Sequence, residues 1–198
     1  MKNILDPHNQ SKDINTKIIA GIERLHTIFR AAIQQQAKHH QITPLQTQLL
    51  LFIAGHDNEL CTVTLLAKEF VMTKATVSDS IRSLTEKGYI EKKEADGDSR
   101  LCVLVLTHLG METVQSLYGL SAVFSPALKN LKSRELTTTW KTLVELIYAF
   151  QQQGLVTCRM CPACHFFQDN DGHYFCQLLN KHLSTKDIRL DCPDYKSH

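Results

Sequence analysis

Residues 73–107 read TKATVSDSIRSLTEKGYIEKKEADGDSRLCVLVLT, and this run decides the fold. Thr73 stands where a helix needs a capping oxygen, and Val77, Ile81 and Leu84 follow at i, i+4 and i+7, a single apolar stripe. Gly88 ends that pattern. Tyr89-Ile90-Glu91-Lys92-Lys93 is an extended run, Asp96-Gly97-Asp98-Ser99 is a strong turn signal, and LCVLVL at 101–106 is rich enough in branched residues to be the returning strand. The stretch therefore predicts a helix followed by a β-hairpin. The stripe leaves Lys74, Thr76, Ser78, Asp79 and Arg82 on faces turned from the core. Short hydroxyls let a helix backbone approach base edges closely, and a lysine or arginine reaches guanine or phosphate oxygens.

Two shorter helical patterns precede this run. Thr43-Pro44 supplies an N-cap and a first-turn proline, with Leu45, Leu49, Leu50, Phe52 and Ile53 as the apolar face and Gly55 near the end. After an Asp57-Asn58 turn, Thr62 or Thr64 can cap VTLLAKEF, with Leu65, Leu66 and Phe70 expected to point inward. Two helices, a third carrying a polar face, and a hairpin are the layout of a winged helix-turn-helix. One helix of that layout enters a DNA major groove and the hairpin reaches the flanking backbone or minor groove. Arg100 opens the returning strand where a wing arginine enters a minor groove, and Asp98 can hold its guanidinium by a charge-assisted pair.

LTEKGYIEK at 84–92, the wing Asp96-Gly97-Asp98-Ser99-Arg100 and the strand-to-helix junction Leu106-Thr107-His108-Leu109-Gly110 together resemble the MarR family of bacterial transcription regulators. The resemblance is close over residues 43–110 and looser in the long helices on both sides. It implies a homodimer that binds a palindromic operator, flanking helices that build the dimer base, a reading helix that begins at Thr73, and Arg100 as the wing-tip arginine. Where the family often has a proline after the first acid of the wing, this chain has Gly97.

Upstream, Ile18, Ile22, Leu25, Phe29 and Ile33 fall at helical spacing between Ile14 and Lys38, one long amphipathic helix. His39 and His40 at its polar end read as surface residues. Downstream, Met111, Val114, Leu117 and Tyr118 begin a helix running toward Val123, which Ser125-Pro126 is expected to interrupt. Leu131, Leu136, Trp140, Leu143, Val144, Ile147 and Phe150 mark a last helix that ends near Gln153-Gly154. These stripes suit dimer or domain core, and two-fold symmetry would match half-sites about one DNA turn apart.

The chain has 198 residues, 43% of them apolar, a net charge of +2 and no apolar run of membrane-spanning length. A cytoplasmic protein is expected. Between Leu60 and Thr107, Lys68, Lys74, Arg82, Lys87, Lys92, Lys93 and Arg100 are matched by Glu69, Asp79, Glu86, Glu91, Glu94, Asp96 and Asp98. Attraction to DNA must then come from how charge is arranged. No catalytic triad, phosphate-binding glycine loop or paired-carboxylate site points to an enzyme.

Seven cysteines are the second compositional signal. Cys61 and Cys102 fall on apolar runs and read as small core residues, with peroxide sensing by either as the other reading. The tail, CRMCPACHFFQDNDGHYFCQLLNKHLSTKDIRLDCPDY, holds Cys158, Cys161, Cys164, Cys176 and Cys192. Clustered thiols without a signal peptide suggest metal or redox chemistry rather than disulfides. The favoured ligand set is Cys161, Cys164, Cys176 and Cys192 around zinc, with Cys158 an alternative or additional ligand, and so small a segment would draw much of its folding energy from the metal. Cys158, Cys161 and Cys164 at three-residue steps also resemble iron–sulfur ligation, although the long gap before Cys192 departs from that pattern. A metal-free thiol switch, and Cys161-Pro-Ala-Cys164 as an oxidoreductase dithiol, stay open. His165, His173 and His182 read as surface.

The expected fold is mainly α (α+β). Residues 1–13 form a disordered lead-in, 14–42 an N-terminal dimerisation helix, 43–110 a winged helix-turn-helix DNA-binding domain, 111–154 C-terminal dimerisation helices, and 155–198 a cysteine-rich metal-binding module. The expected function is sequence-specific binding of double-stranded DNA by a homodimeric regulator, most simply a repressor, responsive to a small-molecule effector, a metal or redox state. Thr73, Lys74, Thr76, Ser78, Arg82, Lys92 and Arg100 are the expected DNA contacts, with Asp98 as wing support. The alternatives are a thiol or electron-transfer protein and a protein-interaction module on the same scaffold.

Overall fold

The computed structural model describes residues 3, 6–10, 13–95 and 98–197, and for 9, 10, 95 and 98–101 the backbone alone. Its helices are α1 (Pro7–Gln10), α2 (Ile14–His39), α3 (Pro44–Gly55), α4 (Val63–Glu69), α5 (Lys74–Glu86), α6 (His108–Leu117), α7 (Leu120–Lys129) and α8 (Ser133–Gln152). Strands β1 (Ile90–Ala95) and β2 (Asp98–Leu106) form an antiparallel wing, and β3 (Phe167–Asn170), β4 (His173–Cys176) and β5 (Lys181–Leu183) a separate three-stranded antiparallel sheet in that order. The fold is α+β, a winged helix-turn-helix with long flanking helices. Among the described residues no helix is long and apolar enough to cross a membrane.

Local chemistry sets the helix starts. The Thr43 hydroxyl accepts the Gln46 N–H (3.2 Å) while the Gln46 side chain accepts the Thr43 N–H (3.0 Å), a reciprocal capping box with Pro44 in the first turn. Thr62 caps α4 and Thr73 caps α5 by the hydroxyl alone, which accepts the Leu65 and Thr76 N–H respectively. The main core lies among α3, α4, α5 and the wing. Leu49, Leu50, Leu66, Val77, Ile81, Leu84, Ile90 and Leu104 are each at most 1% exposed, and burying each such side chain is worth roughly 1.5–3 kcal/mol. The wing is pinned at its base, where the Leu104 N–H donates to the Cys61 carbonyl (2.8 Å). Its register runs from Ile90 opposite Leu106 to Glu94 opposite Cys102, with an irregularity between Glu94 and Ala95. The Asp96-Gly97 turn lies outside the described residues.

The Leu-Thr-x-x-Gly junction has a physical explanation. The Thr107 hydroxyl donates to the Gly88 carbonyl (2.6 Å) and accepts the Gly110 N–H (3.1 Å), tying the end of α5 to the start of α6. Gly110 packs directly on the Tyr89 carbonyl, and a Cβ there would stand 2.1 Å from that oxygen.

Several expectations need correcting. The lead-in contains one turn of helix at Pro7–Gln10. Leu65, expected inward, is 39% exposed, because the short α4 turns Leu66 and Ala67 to the core instead. The break after α6 falls at Tyr118 and Gly119, whereas Pro126 sits inside α7. Proline there forfeits only the bond to the Ala122 carbonyl, and glycine is the poorest helix former short of proline. His40, read as a surface residue, hydrogen-bonds the Ser116 hydroxyl (2.7 Å).

The flanking helices divide their apolar residues. Ala32, Ile33 and Ala37 of α2 are buried, and Phe29 meets Phe124 of α7 with ring centroids 5.8 Å apart. Ile14, Ile18, Ile22, Leu25 and Phe29 remain 41–66% exposed. On α8 the stripe splits, with Trp140, Val144, Ile147 and Tyr148 packing on Met160, Phe167, Tyr174 and Ile188 in a second core. The Trp140 indole N–H fixes that contact by donating to the Thr185 carbonyl (3.0 Å). Leu136, Leu143 and Phe150 stay exposed.

The small sheet of the tail was not foreseen. Its first hairpin turns on Asp171 and Gly172 at φ +52° and +86°, the pair of positive values that an Asp-Gly two-residue turn adopts. The Asn170-Asp171-Gly172 signal was present in the sequence.

Substituting Gly110 by alanine should destabilise the winged helix by about 1–3 kcal/mol, the usual cost of forcing extra volume into a packed site, as a lower denaturant midpoint for unfolding. An unchanged midpoint would mean that the α6 junction yields freely.

Candidate nucleic-acid interface and thiol site

Helix α5 is held by its buried stripe, which turns the opposite face to solvent. Thr73, Lys74, Thr76, Asp79 and Arg82 are exposed there, whereas Ser78 is half-buried beside the stripe. At the N-terminus the Thr73 hydroxyl accepts the Thr76 N–H (3.1 Å) and shares a hydrogen bond with the Thr76 hydroxyl (2.8 Å), so both side chains have a set direction. Arg82 lies 3.3 Å from Asp79, both well exposed. A pair this solvated is worth at most about 1 kcal/mol, and the guanidinium can exchange it for another anion at small cost. Lys92 is exposed on β1, while Lys87 donates to the Gln41 carbonyl (2.7 Å) and Lys93 pairs with Glu91 (3.0 Å). The side chains of Asp98 and Arg100 lie outside the described residues. A cavity of about 370 Å³ sits between α3, β2 and α6, lined by Ile53, Asn58, Val105, Met111, Val114 and Tyr118.

Four of the tail cysteines line one cavity. Cys161 opens a 3₁₀ turn that ends as the Cys164 N–H donates to the Cys161 carbonyl (2.9 Å), Cys176 ends β4, and Cys192 returns from the last loop. Cys161, Cys164, Cys176 and Cys192 line one cavity of about 30 Å³, walled by Phe166, Phe167, Leu178, Leu179 and Leu183 with Asp194 at its margin. Cys158 lines a different cavity. Burial pushes the Cys161 thiol up, against the Arg189 N–H that donates to its sulfur (3.3 Å), and negative charge at Cys192, Cys164 and Cys176 adds to the rise. Thiolates that repel one another in an apolar-walled cavity are the donor set that a soft divalent cation stabilises. Among the described residues, however, no three His, Cys, Asp or Glu side chains are assembled as a metal-holding group. The sulfurs share a cavity without being drawn together in it.

A raised thiol is the reverse of what a dithiol oxidoreductase requires, and coil rather than a strand precedes Cys161. His165, His173 and His182 are all exposed and none lines the cavity. Cys61 is fully buried, and its thiol is pushed up to about 11 by burial and then by the charge of Asp57, against Arg159. Cys102, expected in the core, is exposed: it shares a face of β2 with buried Leu104 but lies two residues farther out along the wing, opposite Glu94, past the edge of the core.

Sequence reading missed one cluster altogether. Arg159 reaches from the tail to the winged helix, donating through Nη1 to Glu69 (3.0 Å) and through Nε and Nη2 to both oxygens of Asp191 (2.7 and 2.9 Å). Its guanidinium lies 5.3 Å over the Phe52 ring, which stacks on His56. The His56 Nδ1–H donates to the Phe52 carbonyl (2.7 Å) and Nε2 meets Asp191. Burial alone would make Arg159 a stronger acid, but the bonds to Asp191 and Glu69 hold its proton more firmly than usual. Burial would likewise raise the Asp191 carboxyl, yet Arg159 and His56 hold it below the ordinary value. Arg159 and Asp191 flank cysteines in the sequence, but nothing in their spacing signals a partner 90 residues away.

Residues 40–101 match the family model described as MarR family. No curated protein matches the chain. Among solved structures, the S. aureus MepR–DNA complex is 20% identical over 65% of this chain and 94% of its own, with a TM-score of 0.57. A MarR protein from Peptoclostridium difficile is 18% identical over 72% of this chain and 92% of its own, at 0.62. The reduced form of MarR from E. coli is 19% identical over 63% and 92%, at 0.51. These likenesses concern the fold.

Iodoacetamide applied near neutral pH to the native protein should modify Cys102 and spare Cys61 until the chain is unfolded, as read by peptide mass spectrometry. Equal labelling of the two would contradict the burial of Cys61.

Proposed function

We propose that this chain, whose residues 40–101 are a MarR-family domain within a winged helix-turn-helix, is a sequence-specific DNA-binding transcription regulator acting as a homodimer on a palindromic operator. The observation that carries the reading is the division of α5, with Val77, Ile81 and Leu84 buried and Thr73, Lys74, Thr76 and Arg82 presented on the far face. A helix so divided can lie in a major groove with short side chains near base edges and cations near guanine or phosphate. Ser78 sits deeper and takes a lesser share, while Lys92 meets the flanking backbone and Arg100 the minor groove. The S. aureus MepR structure is a DNA complex.

The apolar faces of α2 and α8 that none of the described residues covers support the homodimer. Ile18, Ile22 and Leu25 on one helix and Leu136, Leu143 and Phe150 on the other are too many large side chains to leave in water without a partner. Repression is the simplest consequence, since a dimer seated on an operator excludes other proteins from it. The cavity between α3, β2 and α6 lies where a small molecule would alter the angle between reading unit and dimer base.

In the tail, Cys161, Cys164, Cys176 and Cys192 would hold a single zinc ion as four thiolates. The cavity they line is small and walled by apolar side chains, which suits a closed four-thiolate zinc site, and Cys158, which lines another cavity, takes no part. Bound zinc would close the four segments of the tail on one point and contribute to folding.

On a duplex recovered by selection from a randomised library, Arg82→Ala should weaken binding by about 1–3 kcal/mol and relax the preference at one position of each half-site. Lys92→Ala should weaken it evenly across sequences and lower the salt slope by about 0.9 for each phosphate the lysine neutralised. Fluorescence anisotropy across a salt series measures both, and unchanged affinity in both variants would place the interface elsewhere.

A further inference from the structure

Arg159 and Asp191 join residues 155–198 to residues 43–110 by hydrogen bonds. We infer that Arg159 is the positioning residue through which occupancy of the four-thiol site sets the pose of α4 and, with it, of the reading helix α5. The inference rests on the proposed reading of the chain as a DNA-binding regulator with a metal-binding tail.

Arg159 belongs to the thiol site through its backbone and to the reading unit through its side chain. Its carbonyl accepts the Cys192 N–H (2.9 Å). Its guanidinium grips both oxygens of Asp191, the residue before Cys192, and the opposite corner of the same group reaches Glu69. The planar fork makes this a directed joint, since one rigid guanidinium fixes two carboxylates relative to each other. Arg159 and Glu69 side chains are only 16% and 21% exposed, so the pair is little screened.

Glu69 is the last residue of α4, and the chain has only Phe70, Val71 and Met72 before Thr73 caps α5. Val71 is held at φ +51° and the Met72 N–H donates to the Ala67 carbonyl (2.9 Å), so the turn is closely specified. Any tilt of α4 is delivered to the end of α5 that carries Thr73, Lys74 and Thr76. Packing beside the joint is thin, because a cavity of about 550 Å³ opens there, lined by Phe52, Leu65, Glu69, Cys158, Arg159 and Tyr195.

Zinc at Cys161, Cys164, Cys176 and Cys192 would tie the Cys192 segment to the turn at Cys161 and to the end of β4. The Cys192 segment, Asp191 and the guanidinium would then be fixed, and Glu69 with them. Loss of zinc frees that segment and lets α4 relax. Zinc therefore favours one pose of α5, and linkage requires DNA to tighten zinc binding by the same factor.

The test uses the full chain, zinc-loaded and stripped with a chelator, on the selected duplex. Elemental analysis gives zinc per chain and anisotropy gives the affinity of each form. We expect the wild-type zinc-loaded protein to bind about 5- to 150-fold tighter than the stripped form, the usual range of allosteric coupling. Arg159→Met and, separately, Glu69→Gln should retain zinc stoichiometry and DNA binding while the ratio falls to near one. Glu69→Gln leaves the thiol module intact, and its ratio decides the matter should Arg159→Met fold poorly. A wild-type ratio of one, or a ratio kept in Glu69→Gln, overturns the inference while leaving the regulator and its zinc in place. A chain that binds no zinc, or prefers no DNA sequence, instead removes the reading on which the inference stands.

Discussion

The burial of Val77, Ile81 and Leu84 is the constraint on which the rest of this structure depends. Three side chains at helical spacing, each at most 1% exposed, fix the rotation of α5 about its own axis. That rotation decides which residues face outward. Thr73 then fixes where the helix begins, and the Thr107 hydroxyl with Gly110 fixes where the wing returns to the flanking helices. The reading face is thus polar because the core side is saturated, and it is positioned because both ends of the helix are tied.

Two cores of different character share the chain. The first, around Leu49, Leu50, Leu66 and Leu84, is apolar and closed. The second joins α8 to the tail through Trp140, Val144, Met160 and Ile188. Where the tail meets the reading unit, apolar packing gives way to charge, with Arg159 between Glu69 and Asp191. Buried ion pairs do not in general add stability over an apolar contact, since desolvation offsets most of their attraction, but they do fix orientation. A polar joint between two apolar cores suits parts that must hold a defined angle and still respond to a change on one side.

The wing, the caps at Thr43, Thr62 and Thr73, and the buried stripe of α5 were legible because each follows from local rules of capping, periodicity and turn chemistry. Spacing and residue type singled out the tail thiols; Cys161, Cys164, Cys176 and Cys192 line one cavity and Cys158 another, and among the described residues no three of them are assembled as a metal-holding group. The split of the α8 stripe was not legible, because periodicity marks apolar positions without saying what covers them. Leu65 and Cys102 were misplaced for the same reason. Arg159, Glu69, His56 and Asp191 carried no signal, because pairs that meet only after folding leave no trace in local sequence. Pro126 inside α7 shows a rule overridden, the absence of one donor being tolerable where the helix on either side is otherwise intact.

The most direct test of the central claim is selection of duplexes from a randomised pool by the purified protein, followed by sequencing. This account predicts enrichment of an inverted repeat whose half-sites lie about one helical turn apart, as two α5 helices related by a two-fold axis require. A pool that stays random through successive rounds would contradict it, since a winged helix that prefers no sequence would not be a reader of DNA.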